Sequence, residues 1–345
     1  MTLHSEIMEQ PAHLESLLAS QRNNAEKIAH AIRSSGITYV FLAARGTSDN
    51  AGRYANYLFG AVNHLPLALA TPSLFTYYHQ PPNLKGALVI GISQSGQSPD
   101  IVSVLEEGKR QGCLTLAITN EPDSPLEKMA DLIFPIQAGP ERAVAATKTY
   151  TSELMAIAML SAALNEDQRA WTQLEQIPGW VYQALQQDDI IREAAERYRY
   201  MQQCVVLGRG FNYATAFEWA LKLKELTYVE AEPYSSADFQ HGPIAMVARG
   251  FPVMAVLSSG PLVPSLLSFL ENLKNELLAE LVIISNMEKA LDLGETRFAI
   301  SSAVPESLSP IVNIIPAQLF AYHLTLAKGY DADHPRTIHK VTETR

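Results

Sequence analysis

The sequence predicts an α/β protein with two similar domains, each built on a parallel sheet covered by helices on both faces. Short apolar runs rich in β-branched residues alternate with longer segments of helical periodicity, which is the pattern of βαβ units. Landmarks of the first half also recur in the second half. At 345 residues and 47% apolar composition, the chain is long enough to bury two cores.

Seven apolar runs are predicted as strands. They follow a helix predicted over 17–34 and cover 38–43, 87–92, 114–119, 132–136, 204–207, 252–257 and 281–285. Because helical segments separate these runs, neighbouring strands should pair in parallel. A polar linker is predicted over 165–175, followed by a further helix before the second domain.

The two halves share landmarks at nearly one offset along the chain. These are Gly46 and Gly210 after the first and fifth strands, Ser95-Gly96 and Ser259-Gly260 after the second and sixth, and Asn120 and Asn286 closing the strands that follow. Similar landmarks in the same order indicate an internal duplication.

Composition excludes several classes of protein. The net charge of −10 argues against a nucleic-acid partner, which would require a basic face. The chain has no run of eighteen uncharged apolar residues, and Glu6 and Glu9 stand where a signal peptide would be basic and then apolar. We therefore expect a soluble, cytoplasmic protein without a membrane partner.

Cysteine and histidine spacing does not predict a metal site. Cys113 and Cys204 lie in apolar surroundings and are predicted to be buried thiols. Of the nine histidines only His334 and His339 are close neighbours, and their spacing of five matches no common zinc motif. We expect no structural metal.

Three serines lie in the loop between the strand predicted over 87–92 and the helix that follows. Ser98 suits the N-cap and Pro99 the first helical position, so Ser93, Gln94 and Ser95 should lie at a helix N-terminus. Free N–H groups, the helix dipole and hydroxyls suit a phosphate monoester, although serines at such a place can also serve capping alone.

A second loop with hydroxyl donors, Gly46-Thr47-Ser48, follows the first strand at the same predicted edge of the sheet. The matching loops of the second half, 210–212 and 258–261, carry fewer hydroxyls. The residues therefore predict a phosphate site in the first copy only.

Charged residues at helical spacing occur in the second half. Glu218, Lys222 and Glu225 share one face of a helix predicted over 214–230, and taken alone they favour a solvent-exposed face of ion pairs. His241 precedes a Gly-Pro turn, and taken alone a loop histidine is more often structural than catalytic.

Taken together, these residues resemble the SIS (sugar isomerase) family, which includes the isomerase half of glucosamine-6-phosphate synthase and its stand-alone relatives. The resemblance runs nearly end to end. Its motifs are Gly46-Thr47-Ser48, Ser93-Gln94-Ser95-Gly96, Ala138-Gly139-Pro140-Glu141 with Thr147-Lys148, Ala220-Leu221-Lys222-Leu223-Lys224-Glu225, His241-Gly242-Pro243 and Asp333-His334-Pro335-Arg336.

The resemblance implies two tandem SIS domains, each a flavodoxin-like or Rossmann-like α-β-α sandwich. It implies an N-terminal segment over 1–27, a phosphate-binding SIS domain over 28–170, a second SIS domain over 195–335 and a tail over 336–345 that closes the active site. It also implies a hexosamine or hexose 6-phosphate as substrate, a homodimer and no cofactor.

Site residues carry over from the family residue by residue. The residues that would bind the substrate are Thr47, Ser48, Ser93, Gln94, Ser95 and Ser98, with Val144 along the sugar. The resemblance makes Glu225 the base that moves a proton between C1 and C2. It makes His241 an aid to ring opening contributed across the dimer interface, and Lys340 the amine that can form an imine with the ketose.

Departures from the synthase pattern favour the stand-alone deaminases of this fold. Arg45 stands where the synthase has cysteine, Gln97 where it has glutamate and Trp219 where it has glycine. No glutamine-hydrolysing domain precedes residue 1, so we expect conversion of glucosamine 6-phosphate and water to fructose 6-phosphate and ammonia. A fructosamine-6-phosphate deglycase and, more distantly, a non-catalytic sugar-phosphate sensor are the alternatives.

Overall fold

The computed structural model describes residues 2–338 and 340, so the predicted tail over 336–345 lies partly outside the described residues, as does His339. The chain forms two compact units. The first unit contains Glu9–Glu141, Lys148–Gln176 and Lys340. The second unit contains residues 2–8, Arg142–Thr147 and Ile177–Ile338. Each unit has its own sheet and its own core.

The strands, in chain order, are β1 Tyr39–Ala43, β2 Leu67–Leu69, β3 Ala87–Ser93, β4 Leu114–Thr119, β5 Leu132–Pro135, β6 Gln203–Gly208, β7 Glu230–Ser235, β8 Pro252–Leu257, β9 Glu280–Ser285 and β10 Thr296–Ala299. The helices are α1 Leu3–Met8, α2 Gln10–Ser34, α3 Gly46–Asn63, α4 Ser73–Thr76, α5 Pro99–Arg110, α6 Pro125–Met129, α7 Lys148–Leu164, α8 Gln168–Leu174, α9 Ile177–Leu185, α10 Asp188–Arg197, α11 Tyr213–Lys222, α12 Ser236–Phe239, α13 Val263–Asn275, α14 Glu288–Leu291 and α15 Ser309–Ala327.

The two sheets have the same topology. The order is β2-β1-β3-β4-β5 in the first unit and β7-β6-β8-β9-β10 in the second, and all neighbours pair in parallel. This is the flavodoxin-like order, which places the switch point between the first and third strands of each sheet. The predicted fold class and the predicted duplication are thus confirmed.

The central strands were predicted closely because both of their faces are covered. All seven residues of β3 and all six of β8 are buried, so their sequences read as uninterrupted apolar runs. Against them pack α5 in the first unit and α13 in the second, each through its apolar stripe. The core of each unit therefore surrounds its central strands.

Helix α15 is the apolar centre of the second unit. Within the described residues, Glu306–Ala327 is the one segment long and apolar enough to cross a membrane, with a mean hydropathy of 1.2. However, 83% of its window is buried inside the structure, as expected of a core helix. Trp219, fully buried, packs edge-on against Phe320 of this helix.

Four sequence predictions of secondary structure are corrected. Strands β2, β7 and β10 were missed because they are edge strands, short or half exposed, and therefore lack an apolar run. The helix predicted over 214–230 ends at Lys222 and continues as a π-helical turn, Leu223–Thr227. Tyr228 then adopts a left-handed conformation, with φ of 57°, and Glu230 already belongs to β7.

Candidate functional site

The serine loop, residues 93–98, joins the carboxyl end of β3 to the start of α5. Its backbone is fixed from within, since Gly96 N donates to Ser93 Oγ at 3.1 Å and Gln97 N donates to Ser95 Oγ at 3.3 Å. Gly96 has φ of +60°, and a Cβ there would lie 2.3 Å from Ser124 Oγ, so this turn requires glycine. The loop is a preformed turn at a helix N-terminus.

Ser98 occupies the N-cap position of α5 and Pro99 follows in the first turn, as predicted. The Ser98 side chain makes no capping hydrogen bond, whereas its carbonyl accepts from Ile101 N and Val102 N. Its half-buried hydroxyl is therefore not used for capping, and anion binding by this loop remains a prediction.

An ion pair joins the two donor loops of the first unit. Arg45, which follows β1, donates from Nε to Asp100 Oδ2 at 2.7 Å. The other carboxylate oxygen of Asp100 accepts from Ile101 N at 2.9 Å, and this side chain is only 1% exposed. Half of the Arg45 side chain remains exposed, so a guanidinium group lies at the edge of the sheet beside both loops.

Ser48 has a structural partner. Its side chain is buried and donates to Glu153 Oε1 at 2.8 Å, which connects α3 to α7. Thr47, one residue earlier, is half buried at the start of α3. The place of Ser48 and Thr47 in a phosphate site remains a prediction.

Lys340 is paired with a buried carboxylate of the first unit. Its Nζ donates to Glu141 Oε2 at 2.7 Å, and the Glu141 side chain is fully buried. Thr149 donates to both oxygens of the same carboxylate, from N at 3.1 Å and from Oγ1 at 2.8 Å. Glu141 is thus held by three hydrogen bonds, one of which comes from Lys340.

Val144 belongs to a short segment of the second unit, Arg142–Thr147. Glu6 of α1, which is completely buried, accepts hydrogen bonds from Arg142 N at 2.5 Å and from Ala143 N at 3.2 Å. Gln318 of α15 donates to the carbonyl of Thr147 at 3.3 Å. The half-buried Val144 is thus held at both ends of its segment.

Glu218 and Lys222 of α11 are buried and form a cluster with Glu225 of the following turn. Lys222 Nζ lies 2.5 Å from Glu225 Oε2 and 3.4 Å from Glu218 Oε1, and the side chains of Lys222 and Glu218 are 1% and 0% exposed. The interpretation as a solvent-exposed ion-pair face is therefore wrong. Burial alone would lower the pKa of Lys222, but Glu225 and Glu218 outweigh it and raise that pKa, so the ammonium form is kept.

Glu225 is the member of this cluster that reaches the surface. Its side chain is 25% exposed, and it lies in the π-helical turn Leu223–Thr227. Such turns often mark functional positions, because they shift side chains out of α-helical register. Since Glu230 pairs with Gln203 at the start of β6, Glu225 lies toward the amino ends of these strands rather than the carboxyl edge.

His241 follows α12 on an exposed turn. Its N–H donates to the carbonyl of Asp238 at 3.0 Å, and Gly242 has φ of 125°, a conformation that favours glycine. No hydrogen bond or ion pair links its ring to Glu225 within the described part of the chain. The catalytic roles of His241 and Glu225 remain predictions.

The matching loops of the second unit are filled from within. Asn212 Nδ2 donates to Ser309 Oγ at 2.8 Å, and Asn313 Nδ2 donates to Ser258 Oγ at 3.0 Å. The carboxylate of Glu306 lies against Gly260, where a Cβ would meet its Oε2 at 2.2 Å. A negative charge and internally bonded hydroxyls disfavour a phosphate here, which supports a phosphate site in the first copy only.

Three cations of this chain, of which Lys340 is a predicted site residue, are paired with buried carboxylates, and sequence spacing indicates only one of these pairs. Asp100, Glu141 and Glu218 are buried carboxylates that position Arg45, Lys340 and Lys222, respectively. Only Glu218 had a local signal, its spacing of four from Lys222. The other two pairs lie far apart along the chain, and spacing cannot detect them.

Known proteins resemble this chain over nearly its whole length. Residues 37–163 and residues 200–328 each match the family described as SIS domain. Glutamine–fructose-6-phosphate aminotransferase (isomerizing) of Thermococcus kodakarensis is 33% identical over 344 residues, covering 97% of this chain and 56% of that protein. The chain thus spans little more than half of this relative.

Solved structures share the fold. The C-terminal domain of glucosamine-fructose-6-phosphate aminotransferase from Francisella tularensis superposes with a TM-score of 0.86 at 29% identity, covering 96% of this chain and 98% of that one. Glucosamine-6-phosphate deaminase from Thermotoga maritima gives a TM-score of 0.79 at 22% identity, with 100% of both chains covered, which shows a common fold alone.

Proposed function

Because this chain belongs to the SIS domain family and carries two copies of that domain, we propose that it is an aminosugar-phosphate deaminase and isomerase. The proposed reaction converts glucosamine 6-phosphate and water to fructose 6-phosphate and ammonia. It acts on a small anionic substrate and, with this composition, in the cytoplasm.

The observation that supports an enzyme best is the carboxylate of Glu225, which is partly exposed while its ammonium partner is buried. A proton shuttle between C1 and C2 needs a base that is ionised at neutral pH and close to the sugar. Lys222, kept charged by two carboxylates, contacts Glu225 from the protein side at 2.5 Å. Binding alone, as in a non-catalytic sensor, does not require the buried Lys222 ammonium group to contact the accessible Glu225 carboxylate.

The phosphate end of the substrate would lie in the first unit. The serine loop offers the hydroxyls of Ser93, Ser95 and Ser98 and the amide of Gln94, with backbone N–H groups at the start of α5. Arg45, held by Asp100, adds a cation beside these donors. This cation favours a dianionic ligand. The motif around it resembles that of the stand-alone deaminases and therefore favours deaminase activity.

The proposed chemistry balances with these groups alone. His241 assists ring opening, and Glu225 removes the C2 proton of the open-chain aminoaldose to give an enolamine. Returning that proton to C1 leaves an imine at C2, to which water adds, and ammonia then departs.

Lys340 can take part in imine exchange only after its ammonium group leaves Glu141 and loses a proton. We therefore propose that substrate binding breaks the ion pair between Lys340 and Glu141.

The assembly is part of the proposal. An exposed His241 on a glycine-proline turn suits a homodimer in which each His241 serves the other chain's site. The mixing experiment that tests this is described below at the scale of the whole molecule.

A deglycase that cleaves fructosamine 6-phosphates is the second candidate, because the same phosphate loop and proton shuttle would serve it. An ammonia assay over hexosamine 6-phosphates, beside an amine-release assay over fructosamine 6-phosphates, separates the two. We expect ammonia and fructose 6-phosphate in equal amounts from glucosamine 6-phosphate. Turnover of fructosamine 6-phosphates alone would identify the deglycase, and binding without turnover of either class would identify the sensor.

A further inference from the structure

Two histidines and an aspartate meet in the second unit, and none of them is proposed for catalysis. His4 lies in α1, Asp188 begins α10, and His323 lies near the end of α15. His4 Nε2 is 3.0 Å from Asp188 Oδ2, and His323 Nε2 is 2.7 Å from Asp188 Oδ1. One ligand atom from each residue lies within 4.8 Å of the others.

The side-chain groups of this cluster suit metal binding. Two imidazole nitrogens face the two oxygens of one carboxylate, and imidazole nitrogen and carboxylate oxygen are common ligands of transition-metal ions.

The surroundings orient these side chains without competing for them. Tyr322 stacks on the His4 ring with centroids 5.0 Å apart. Arg192, the nearest opposing cation, is itself paired with Asp189 at 2.7 Å. Asp333 accepts from Leu3 N at 2.6 Å at the start of α1 and adds a second negative charge nearby.

We propose that His4, Asp188 and His323 bind one divalent transition-metal ion, with Zn²⁺ the preferred ion and water in the fourth position. Two imidazole nitrogens and one carboxylate oxygen form a ligand set typical of zinc, whereas calcium and magnesium prefer oxygen alone. Asp188 and His4 are 24% and 31% exposed, which leaves a path for the ion and room for a water ligand.

Small movements complete the geometry. Bonds of about 2.0 to 2.1 Å around a tetrahedral ion place ligand atoms about 3.3 Å apart. The ligand atoms of the cluster all lie within 4.8 Å of one another, so the approach needed is at most about 1.5 Å. His4 can supply this movement because it lies on the six-residue α1 and is partly exposed. His323 is 6% exposed and provides the fixed side of the site.

The ion would fasten α1 to α10 and α15. Because α1 also carries Glu6, which holds the backbone of Arg142 and Ala143, occupancy would stabilise the segment that contains Val144. The site is therefore structural, and it does not depend on which reaction the chain catalyses.

Untagged full-length protein, stripped with a chelator, is titrated with Co²⁺ and Zn²⁺. We expect one ion per chain, a visible Co²⁺ spectrum of four-coordinate intensity that Zn²⁺ abolishes, and a higher melting temperature with Zn²⁺. The variants His4→Ala and Asp188→Asn should each weaken Zn²⁺ binding at least tenfold. The control is His334→Ala, which removes an 85% exposed histidine paired with Asp331 in the same unit.

Two results would overturn the site. One is the absence of stoichiometric Zn²⁺ uptake by the wild-type protein at micromolar free metal. The other is equal affinity for the wild type and His4→Ala, with circular dichroism showing that both are folded. His4 is chosen because its partial exposure makes a folding failure of the variant less of a risk than at the buried His323.

Discussion

At the scale of single residues, Glu225 combines an accessible carboxylate with a buried ammonium partner. We expect Glu225→Gln to lower kcat by about two to four orders of magnitude with little change in KM, because it removes a general base and preserves shape. Exchange of the C1/C2 hydrogen with solvent deuterium should stop together with ammonia release. Glu230→Gln, on the exposed start of β7, is the control and should behave as the wild type.

Two results would contradict the role proposed for Glu225 or the proposed reaction. If Glu225→Gln exchanges the C1/C2 hydrogen at the wild-type rate, another group is the base. If exchange stops in the variant but the wild type releases no ammonia, the proton shuttle stands and the deaminase proposal does not.

Ser95 tests the phosphate loop. Because a phosphate is bound alike in the ground and transition states, Ser95→Ala should raise KM and leave kcat nearly unchanged. The control is Ser103→Ala on α5, whose hydroxyl donates to the carbonyl of Asp100 at 2.7 Å. An unchanged KM for Ser95→Ala, and equally for Ser93→Ala and Ser98→Ala, would remove the loop from the substrate site.

Lys222 links the catalytic cluster to stability. Lys222→Met leaves the buried Glu218 without its cation, so we expect a loss of about 3 to 5 kcal/mol in the free energy of unfolding. Lys224→Met removes an exposed charge two residues later and should cost less than about 1 kcal/mol. Urea unfolding of both variants measures the difference, and equal midpoints would contradict the buried position of Lys222.

At the scale of secondary-structure elements, buried central strands are predicted from sequence more accurately than exposed edge strands. The sequence predicts β4 and β8 with their observed bounds, because both faces of a central strand are covered and the apolar run is unbroken. The edge strand β7 carries Glu230, Glu232 and Pro233, which read as loop or helix end. Pairing with β6 decides its conformation, and that long-range contact has no local signature.

The same limit applies to the site. The serine loop is indicated by its local pattern, whereas the role of Glu225 is predicted only from the family resemblance. The π-helical turn is different, since nothing in Leu223–Thr227 distinguishes it from ordinary helix before the packing is known. Ion pairs such as Arg45 with Asp100 form only when the fold brings two loops together.

The stability of the packing between α10 and α15 should depend on pH because His323 lies between them and contacts Asp188. Its pKa is lowered by burial, so between the ordinary histidine value of about 6.5 and its lower folded value the unfolded chain binds a proton that the folded chain does not. Stability is therefore full above about pH 6.5 and falls below it. The lowered pKa of Asp188 acts in a separate window, with stability lost only below about pH 4.

Urea midpoints measured with a chelator present between pH 7.5 and 5 test this dependence. His323→Gln should flatten the decline, whereas His30→Gln, on the exposed side of α2, should leave the decline unchanged. Parallel curves for the wild type and His323→Gln would show that other groups cause the decline.

At the scale of the whole molecule, the proposed dimer makes a prediction that no single chain can meet. Mixing inactive His241→Ala chains with inactive Glu225→Gln chains should restore part of the activity, because one site of each mixed dimer receives both intact residues. The control is the same mixture made from two Glu225→Gln preparations, which should stay inactive. Verified mixed dimers without activity would show that His241 acts within its own chain or not at all.

The second unit is assembled from three separate stretches of chain, and this imposes an order on synthesis. A ribosome releases α1 long before α15, yet the N–H of Leu3 bonds to Asp333 and His4 contacts Asp188. Until α15 and Asp333 emerge, α1 lacks part of its docking surface even though Asp188 and Arg142 are already present, while the first unit already has its own sheet complete. Stalled nascent chains ending near β9 should therefore resist protease across the first unit but be cut at α1, and release of the full chain should protect α1.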